Sequence, residues 1–469
     1  MLSASKPPAA TASLPWLALA FAAATTWVWI NVCRFPASPW NDVRLAPVFM
    51  AAEGVPVYTL PGEGILTTWM YGPVPLWVWW PATRAGDALS ALLSAGLFNA
   101  LLTIAALAAT CRWWPVPGIS PAQRAFAFAA CLALWPDHAF RFLQADNVAV
   151  ALGLLANLLL VTTHARGGAP TRVWLAAFAT AAALGCKQTT LGLAAAQVIW
   201  LGFGQGPRAA LAHAGRIAIS GLVLLGLASA QFGARELWFG LVTVPGSLPT
   251  VENWSARLAA MGPHLTLQAV LPLLVVAAGR HILFRAGEAT ALATLTFLAS
   301  LPLGLAGVLS TGGTINSFQG YQYLLPAFLL LVLPQLTTIR APVLLAGAIL
   351  LAVIARIGLA DFAPLRPAIA EVQRGQALLA ANPGTLWLPW NPLVTYFAEG
   401  RFDHAEDGLY VRFITGHPVS LSHAQAGTPP GMKAMAFPSP AMQWDVAARL
   451  APPGAERVRE GEWLVIRWP

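Results

Sequence analysis

Three stretches of this 469-residue chain carry ionisable groups where apolar surroundings make charge expensive. Asn41–Asp42–Val43–Arg44 follows an apolar run, with Trp40 beside it. A carboxylate held there can act as general base toward an alcohol. It can equally cap the helix-compatible stretch that runs to Gly54. Trp135–Pro136–Asp137–His138 is followed by Arg141, Gln144 and Asp146, the last opening another apolar run, where N-capping is the structural alternative. His138 has no second His or Cys at ligand spacing, so a metal site is not indicated. Lys187 sits in Gly185–Cys186–Lys187–Gln188, the only break in the apolar stretch 173–203. An ammonium in such a place needs an anion. A phosphate at the membrane surface meets that need, and so does a carboxylate such as Asp42 or Asp146.

The elements that must position these groups are membrane helices. The chain is 57% hydrophobic and 10% charged, with a mean hydropathy of +0.63; soluble chains carry about 25% charge. Apolar runs at 14–33, 87–110, 122–136, 146–163, 172–186, 188–203, 216–233, 265–283, 288–309, 321–336 and 341–360 give about eleven transmembrane helices. Pro73–Trp80 is too short to cross alone and reads as a re-entrant piece or an extension of the second helix. As one helix, 173–203 would be about 46 Å long, beyond the hydrocarbon thickness, so it divides at Lys187. The four cysteines lie in or beside apolar stretches without CxxC spacing and read as buried small side chains.

Charge fixes the expected direction. With the N-terminus cytoplasmic, the inner segments hold Lys6, Arg112, Arg124, Arg166, Arg172, Arg208, Arg216, Arg280, Arg285 and Arg340 against a single acid, Glu288. The opposite loops hold Asp42, Glu53, Glu63, Asp87, Asp137, Asp146, Glu236 and Glu252, with Arg34, Arg44, Arg84, Arg141, Lys187, Arg235 and Arg257. That asymmetry follows the positive-inside rule and leaves the C-terminal part outside. The net charge of +8 is spread over many loops rather than one soluble face, which excludes nucleic acid as a partner. No P-loop, dinucleotide fingerprint or nucleophile motif occurs.

The composition changes after residue 360. Residues 1–360 form the transmembrane domain, with 34–71 as a long first outer loop, and 361–469 a small extracytoplasmic α/β domain. An amphipathic helix is expected over Arg366–Ala381 and strands at Thr385–Leu388, Lys433–Phe437 and Trp463–Arg467. Trp387, Trp390, Asn391, Arg401, Asp403 and His404 would suit sugar stacking and hydrogen bonding, or simple packing.

Together these features resemble the membrane glycosyltransferases of the GT-C fold that use polyprenyl-phosphate sugars, of the protein mannosyltransferase and aminoarabinose transferase kind. The likeness lies in Asn41–Asp42, Tyr71–Gly72–Pro73–Val74–Pro75, Gln144–Ala145–Asp146, Leu184–Gly185–Cys186–Lys187–Gln188–Thr189 and Gln319–Gly320–Tyr321–Gln322–Tyr323–Leu324–Leu325–Pro326. The resemblance implies an all-α polytopic membrane bundle in the bacterial inner membrane. It also implies transfer of a sugar from a polyprenyl-phosphate donor to a hydroxyl of a lipid, glycan or protein acceptor on the extracytoplasmic face. Asp42 would be the base in one inverting displacement. Lys187, with Arg141 and Arg235, would hold the donor phosphate, and Asp146, Tyr71 and Tyr321 would bind substrate. Many relatives carry two adjacent acids in the first loop; Asn41 in one of those places removes a metal-bridging pair. No cofactor is required, although the resemblance leaves a divalent metal open. The competing readings are a secondary transporter, which would show inverted repeats and mid-helix charges, a polysaccharide polymerase or ligase, whose large loop comes late in the chain, and a scaffold.

Overall fold

The computed structural model describes residues 14–67, 69–167, 169–284, 288–335, 341–359, 365–444, 447 and 449–469. Lys6, Arg285 and Arg340 of the charge count, and the expected boundary at 360/361, lie outside the described residues. The first ten helices are α1 (Leu14–Cys33), α2 (Pro39–Ala52), α3 (Val74–Trp79), α4 (Ala88–Trp113), α5 (Pro121–Leu134), α6 (His138–Arg141), α7 (Ala145–Arg166), α8 (Pro170–Leu184), α9 (Leu191–Gln205) and α10 (Pro207–Phe232). Further apolar helices occupy Gly262–Leu283, Ala289–Leu309, Gly320–Val332 and Ala341–Leu359.

Six helices among the described residues are long and apolar enough to cross a bilayer: α1, α4, α7, α10, Gly262–Leu283 and Ala289–Leu309. The chain is therefore an integral, multi-pass membrane protein. Eleven crossings do not follow from helix length, because α5, α8 and α9 have 14, 15 and 15 residues, short of the roughly 20 a straight crossing needs. Pro73–Trp80 is neither an extension of α4 nor continuous with it. It forms the six-residue α3, then a 3-10 turn at Trp80–Arg84, before Asp87 caps α4 through the Ser90 N–H at 2.9 Å.

Lipid-facing positions such as Leu211, Leu222, Leu225 and Leu227 on α10 stay exposed, as apolar side chains facing lipid must. Inward, the helices are tied by a buried amide chain. Gln197 Oε1 accepts from Thr180 Oγ1 at 2.8 Å and lies 3.0 Å from His213 Nε2. Gln197 Nε2 donates to Asn157 Oδ1, and Asn157 Nδ2 to Thr296 Oγ1. One polar cluster thus joins α7, α8, α9, α10 and Ala289–Leu309, each bond worth about 0.6–2 kcal/mol in lipid. At the end of α5, Arg356 donates to the carbonyls of Ala133 and Trp135, both at 2.7 Å, satisfying C-terminal acceptors the helix cannot.

The expected division at Lys187 is present. α8 stops at Leu184, a 3-10 turn covers Gln188–Thr190, and α9 begins at Leu191. The first loop is stitched to this break: Gly72 N–H donates to Cys186 O at 3.0 Å and Val74 N–H to Gly185 O at 3.2 Å. Tyr71 is thereby set beside Lys187.

The C-terminal part holds a four-stranded sheet of β1 (Leu386–Trp387), β2 (Ala434–Phe437), β3 (Glu456–Glu460) and β4 (Trp463–Arg467), ordered β1-β2-β4-β3. β1 runs parallel to β2, and β4 pairs antiparallel with both β2 and β3. The helix at Leu365–Ala381 matches the amphipathic stretch. β3 (ERVRE) was not visible in the sequence, because an alternating charged strand at a sheet edge has no apolar face. This part shares one core with the first loop: Phe49, Val57, Tyr58, Leu386, Leu388 and Leu393 belong to the same apolar cluster. Hydrogen bonds from backbone and side chains zip the two together. Ala405 N–H donates to Leu66 O at 2.9 Å, Leu66 N–H to His404 Nδ1 at 2.8 Å, and Arg412 to Thr59 O at 2.6 Å.

A Cβ at Gly72 would lie 1.8 Å from Gly185 O, a backbone atom that cannot rotate away. Gly72→Ala is therefore expected to lower stability by about 1–3 kcal/mol or more, read as a fall in the thermal midpoint of the purified protein. An unchanged midpoint would contradict the stitching.

Candidate functional site

A cavity of about 810 Å³ opens where the first loop, the Lys187 turn, the segment 241–248, the segment 303–317 and the C-terminal part converge. Its charged lining residues are Arg44, Lys187 and Asp407, with His138 beside them. One wall is apolar, built from Leu241, Val242, Pro245, Leu248, Leu303 and Ala306. Another is aromatic, with Trp40, Tyr410 and Trp444.

Lys187 owes its place to an acid behind it. Its Nζ donates to Asp146 Oδ1 at 2.7 Å, and the ammonium lies 5.9 Å from the centre of the Tyr71 ring. Asp146, in the first turn of α7, is 2% exposed in its side chain while Lys187 keeps 14%. The carboxylate accepts two further bonds: Gln319 Nε2 also donates to Oδ1, and Asn316 Nδ2 to Oδ2 at 3.2 Å. Asp146 thus neutralises Lys187 from the protein side and leaves its other face toward the cavity. Tyr71 is fixed in turn, its carbonyl accepting from Tyr58 Oη at 2.7 Å, while Trp69 Nε1 donates to that same hydroxyl.

Of the residues expected at the site, Lys187 and Tyr71 line the cavity and Asp146 backs it. The other four do not line it. Asp42 is buried away from the cavity, and its Oδ1 accepts from Leu393 N–H at 2.8 Å. It caps the helix Pro392–Glu399, whose own N-cap residue Asn391 makes no side-chain cap bond. The carboxyl group supplies from another part of the chain what a local N-cap would supply, an acceptor for a first-turn N–H. Neighbouring Asn41 ties α2 to the loop before α7, accepting from Leu143 N–H at 2.6 Å and donating to Phe35 O and Arg141 O. The Arg141 guanidinium sits 5.3 Å from the Phe142 ring, outside the lining. Arg235 is exposed near the start of the helix Ala234–Trp238. Tyr321 packs among Val276, Leu283, Phe297 and Leu324 within the bundle. Trp387 and Trp390 are wholly buried, so the packing account holds for them. Arg401 is bound to Glu399 and Asp403, not free for a ligand.

Arg44, Asp407, Tyr410 and Trp444 line the cavity without having been expected there. Arg44 was only counted as a loop charge; it lies 5.0 Å from the Trp40 ring and donates to Leu143 O at 3.2 Å. Asp407 and Tyr410 lie on the helix Glu406–Ile414, in a part read as ordinary α/β structure. The i, i+3 spacing of these two on one helix face was the available signal. His138 lines the cavity, and burial lowers its pKa, favouring the neutral ring. Among the described residues no group of three or more His, Cys, Asp or Glu stands together as a metal ligand set.

The fold and cavity define a multi-pass membrane protein whose helix bundle carries a charged cavity with one apolar wall, closed over by its first loop and C-terminal part. That architecture is the fold of ArnT. ArnT from Cupriavidus metallidurans bound to undecaprenyl phosphate superposes with a TM-score of 0.59 over 97% of this chain and 97% of its own, at 14% identity. The apo state of the same protein gives 0.57 over 97% and 98%, at 15% identity. The GT-C resemblance drawn from the sequence is met at the level of fold. No family model matches the sequence, and no curated protein matches it.

Burial pushes the Asp42 carboxyl up from 3.8 to about 8, outweighing the bonds from Leu393, Asn391 and Val394 that pull it down. The folded chain then holds a proton that the unfolded chain releases near 3.8. This contribution to stability is full below pH 3.8 and is lost as the pH rises to about 8. Asp42→Asn, which keeps an acceptor oxygen without the charge, is expected to flatten the fall of the thermal midpoint between pH 5 and 8. An equal slope in wild type and variant would remove Asp42 as a titrating cap.

Proposed function

We propose that this protein is a membrane glycosyltransferase that transfers a sugar from a polyprenyl-phosphate donor to an acceptor hydroxyl. The observation that carries the reading is the Lys187 ammonium, paired with Asp146 behind it and facing a cavity with an apolar wall. The ArnT fold, in which undecaprenyl phosphate has been captured, supports it. In this reading the polyprenyl tail lies along Leu241, Val242, Leu248 and Leu303, and the phosphate meets Lys187, with Arg44 in reach of the same cavity.

The reaction is a single inverting displacement. The acceptor oxygen bonds to the anomeric carbon as that carbon's bond to the phosphate oxygen breaks, its electron pair leaving with the polyprenyl phosphate. Lys187 stabilises the charge that develops on the leaving group, and the basic side chains neutralise the phosphate without calling for a metal. The proton passes to a carboxylate facing the cavity. Asp407 is the one Asp or Glu among the described lining residues, so it takes the role expected of Asp42. The cavity faces the extracytoplasmic side of the bacterial inner membrane, with the N-terminus cytoplasmic and the C-terminal part outside. The positive-inside count supports this orientation.

Lys187→Ala tests the reading through binding of undecaprenyl phosphate to the purified protein. Affinity is expected to fall by about tenfold or more, as charge-assisted contacts to phosphate are worth about 1.5–3 kcal/mol. Because the variant leaves Asp146 buried and unpaired, Asp146→Asn/Lys187→Ala serves as its folded control. Wild-type affinity in that double variant would leave the ion pair a purely structural device.

A further inference from the structure

The aromatic wall of the cavity is built in a way the donor does not need. Trp390 meets Trp40 and Trp444 edge to face, with ring centroids 4.9 Å apart in each pair, and Trp40 lies tilted to Trp444 at 5.8 Å. Tyr410 joins the group 4.8 Å from Trp444. Trp390 is wholly buried and held by its indole N–H donating to Met442 O at 2.7 Å, so it serves as a rigid backing. Trp40, Tyr410 and Trp444 are only partly buried and line the cavity. Arg44, stacked over Trp40, and Asp407, three residues before Tyr410, supply a donor fork and an acceptor beside the rings.

Indole faces flanked by a guanidinium and a carboxylate match one ligand chemistry. The C–H faces of a pyranose stack on aromatic rings, and its hydroxyls both donate to a carboxylate and accept from an arginine. A phospholipid headgroup has no such flat apolar face, and an extended peptide calls for an open sheet edge or groove. Resting on the glycosyltransferase reading, we infer that Trp40, Tyr410 and Trp444, with Arg44 and Asp407, form the acceptor subsite, and that the acceptor is a saccharide. The sugar ring lies against the indoles, and the hydroxyl to be glycosylated donates its hydrogen bond to Asp407. The subsite draws on both α2 and the C-terminal part, which explains why the first loop and that part are zipped together at Leu66, His404 and Ala405.

The test is direct binding of methyl hexopyranosides to the full-length protein in lipid nanodiscs, read by saturation-transfer NMR with and without undecaprenyl phosphate. Methyl glycosides are expected to bind in both conditions. Trp444→Ala and Asp407→Asn are expected to weaken them about tenfold while undecaprenyl phosphate affinity stays within about twofold, and Trp444→Phe to restore most of the loss. Displacement of the glycosides by undecaprenyl phosphate would assign the rings to the donor and overturn the inference. So would tighter, Trp444-dependent binding of a serine peptide or of phosphatidylethanolamine. Absence of any glycoside binding, with undecaprenyl phosphate still bound through Lys187, would also refute the acceptor assignment and leave the donor reading standing. Loss of undecaprenyl phosphate binding altogether would instead strike the donor reading alone.

Discussion

The ion pair between Lys187 and Asp146 is the constraint on which the rest of the site depends. An ammonium at the junction of two short apolar helices costs at least about 2.5 kcal/mol when held in the bilayer without compensation. Asp146 offsets that cost, and Gln319 and Asn316 donate to the same carboxylate. Those partners come from α7, from the α8–α9 turn and from the segment before Gly320–Val332. A charge that had to be stabilised from three directions thus draws the helix ends together into the rim of a cavity. The cation is held in place before any ligand arrives, and such preorganisation is what electrostatic stabilisation of a leaving group requires.

Around this pair the molecule divides its labour by polarity. Large apolar side chains stay exposed on the outside of the helices, while the interior is tied by the Thr180–Gln197–Asn157–Thr296 chain. The cavity combines an apolar wall, a cationic centre and an aromatic wall, a sequence of surfaces suited to a lipid tail, a phosphate and a sugar. Closing the third side takes the C-terminal part. Its junction with the first loop is hydrogen-bonded, with His404 accepting from Leu66 N–H and burial lowering the imidazole pKa to about 4, so that it stays a neutral acceptor there.

Much of this was legible in the sequence, and the failures share a cause. Composition and apolar runs gave the membrane bundle, and the excess length of 173–203 placed a break at Lys187, because both depend on distances set by the bilayer. The edge strand β3 was hidden by its charge alternation, and the number of crossings stays open to helix length because short helices need neighbours to complete them. At the site, Lys187 and Tyr71 stood out through neighbours along the chain. Asp42, an acid beside a membrane helix in a long loop, reads from the sequence as a base, whereas the structure leaves it off the cavity lining and gives it Leu393, 351 residues away, as a hydrogen-bond partner. Asp407 was overlooked for the same reason in reverse. Its chemical meaning comes from the cavity wall across from it, not from its own segment.

The central claim is most directly tested by a structure of the protein in nanodiscs with undecaprenyl phosphate bound. The account predicts phosphate density within hydrogen-bonding distance of the Lys187 ammonium, the polyprenyl chain leaving along Leu241 and Leu303, and the Asp146 contact retained behind it. Phosphate density elsewhere on the molecule, with Lys187 shut away from the ligand, would contradict it.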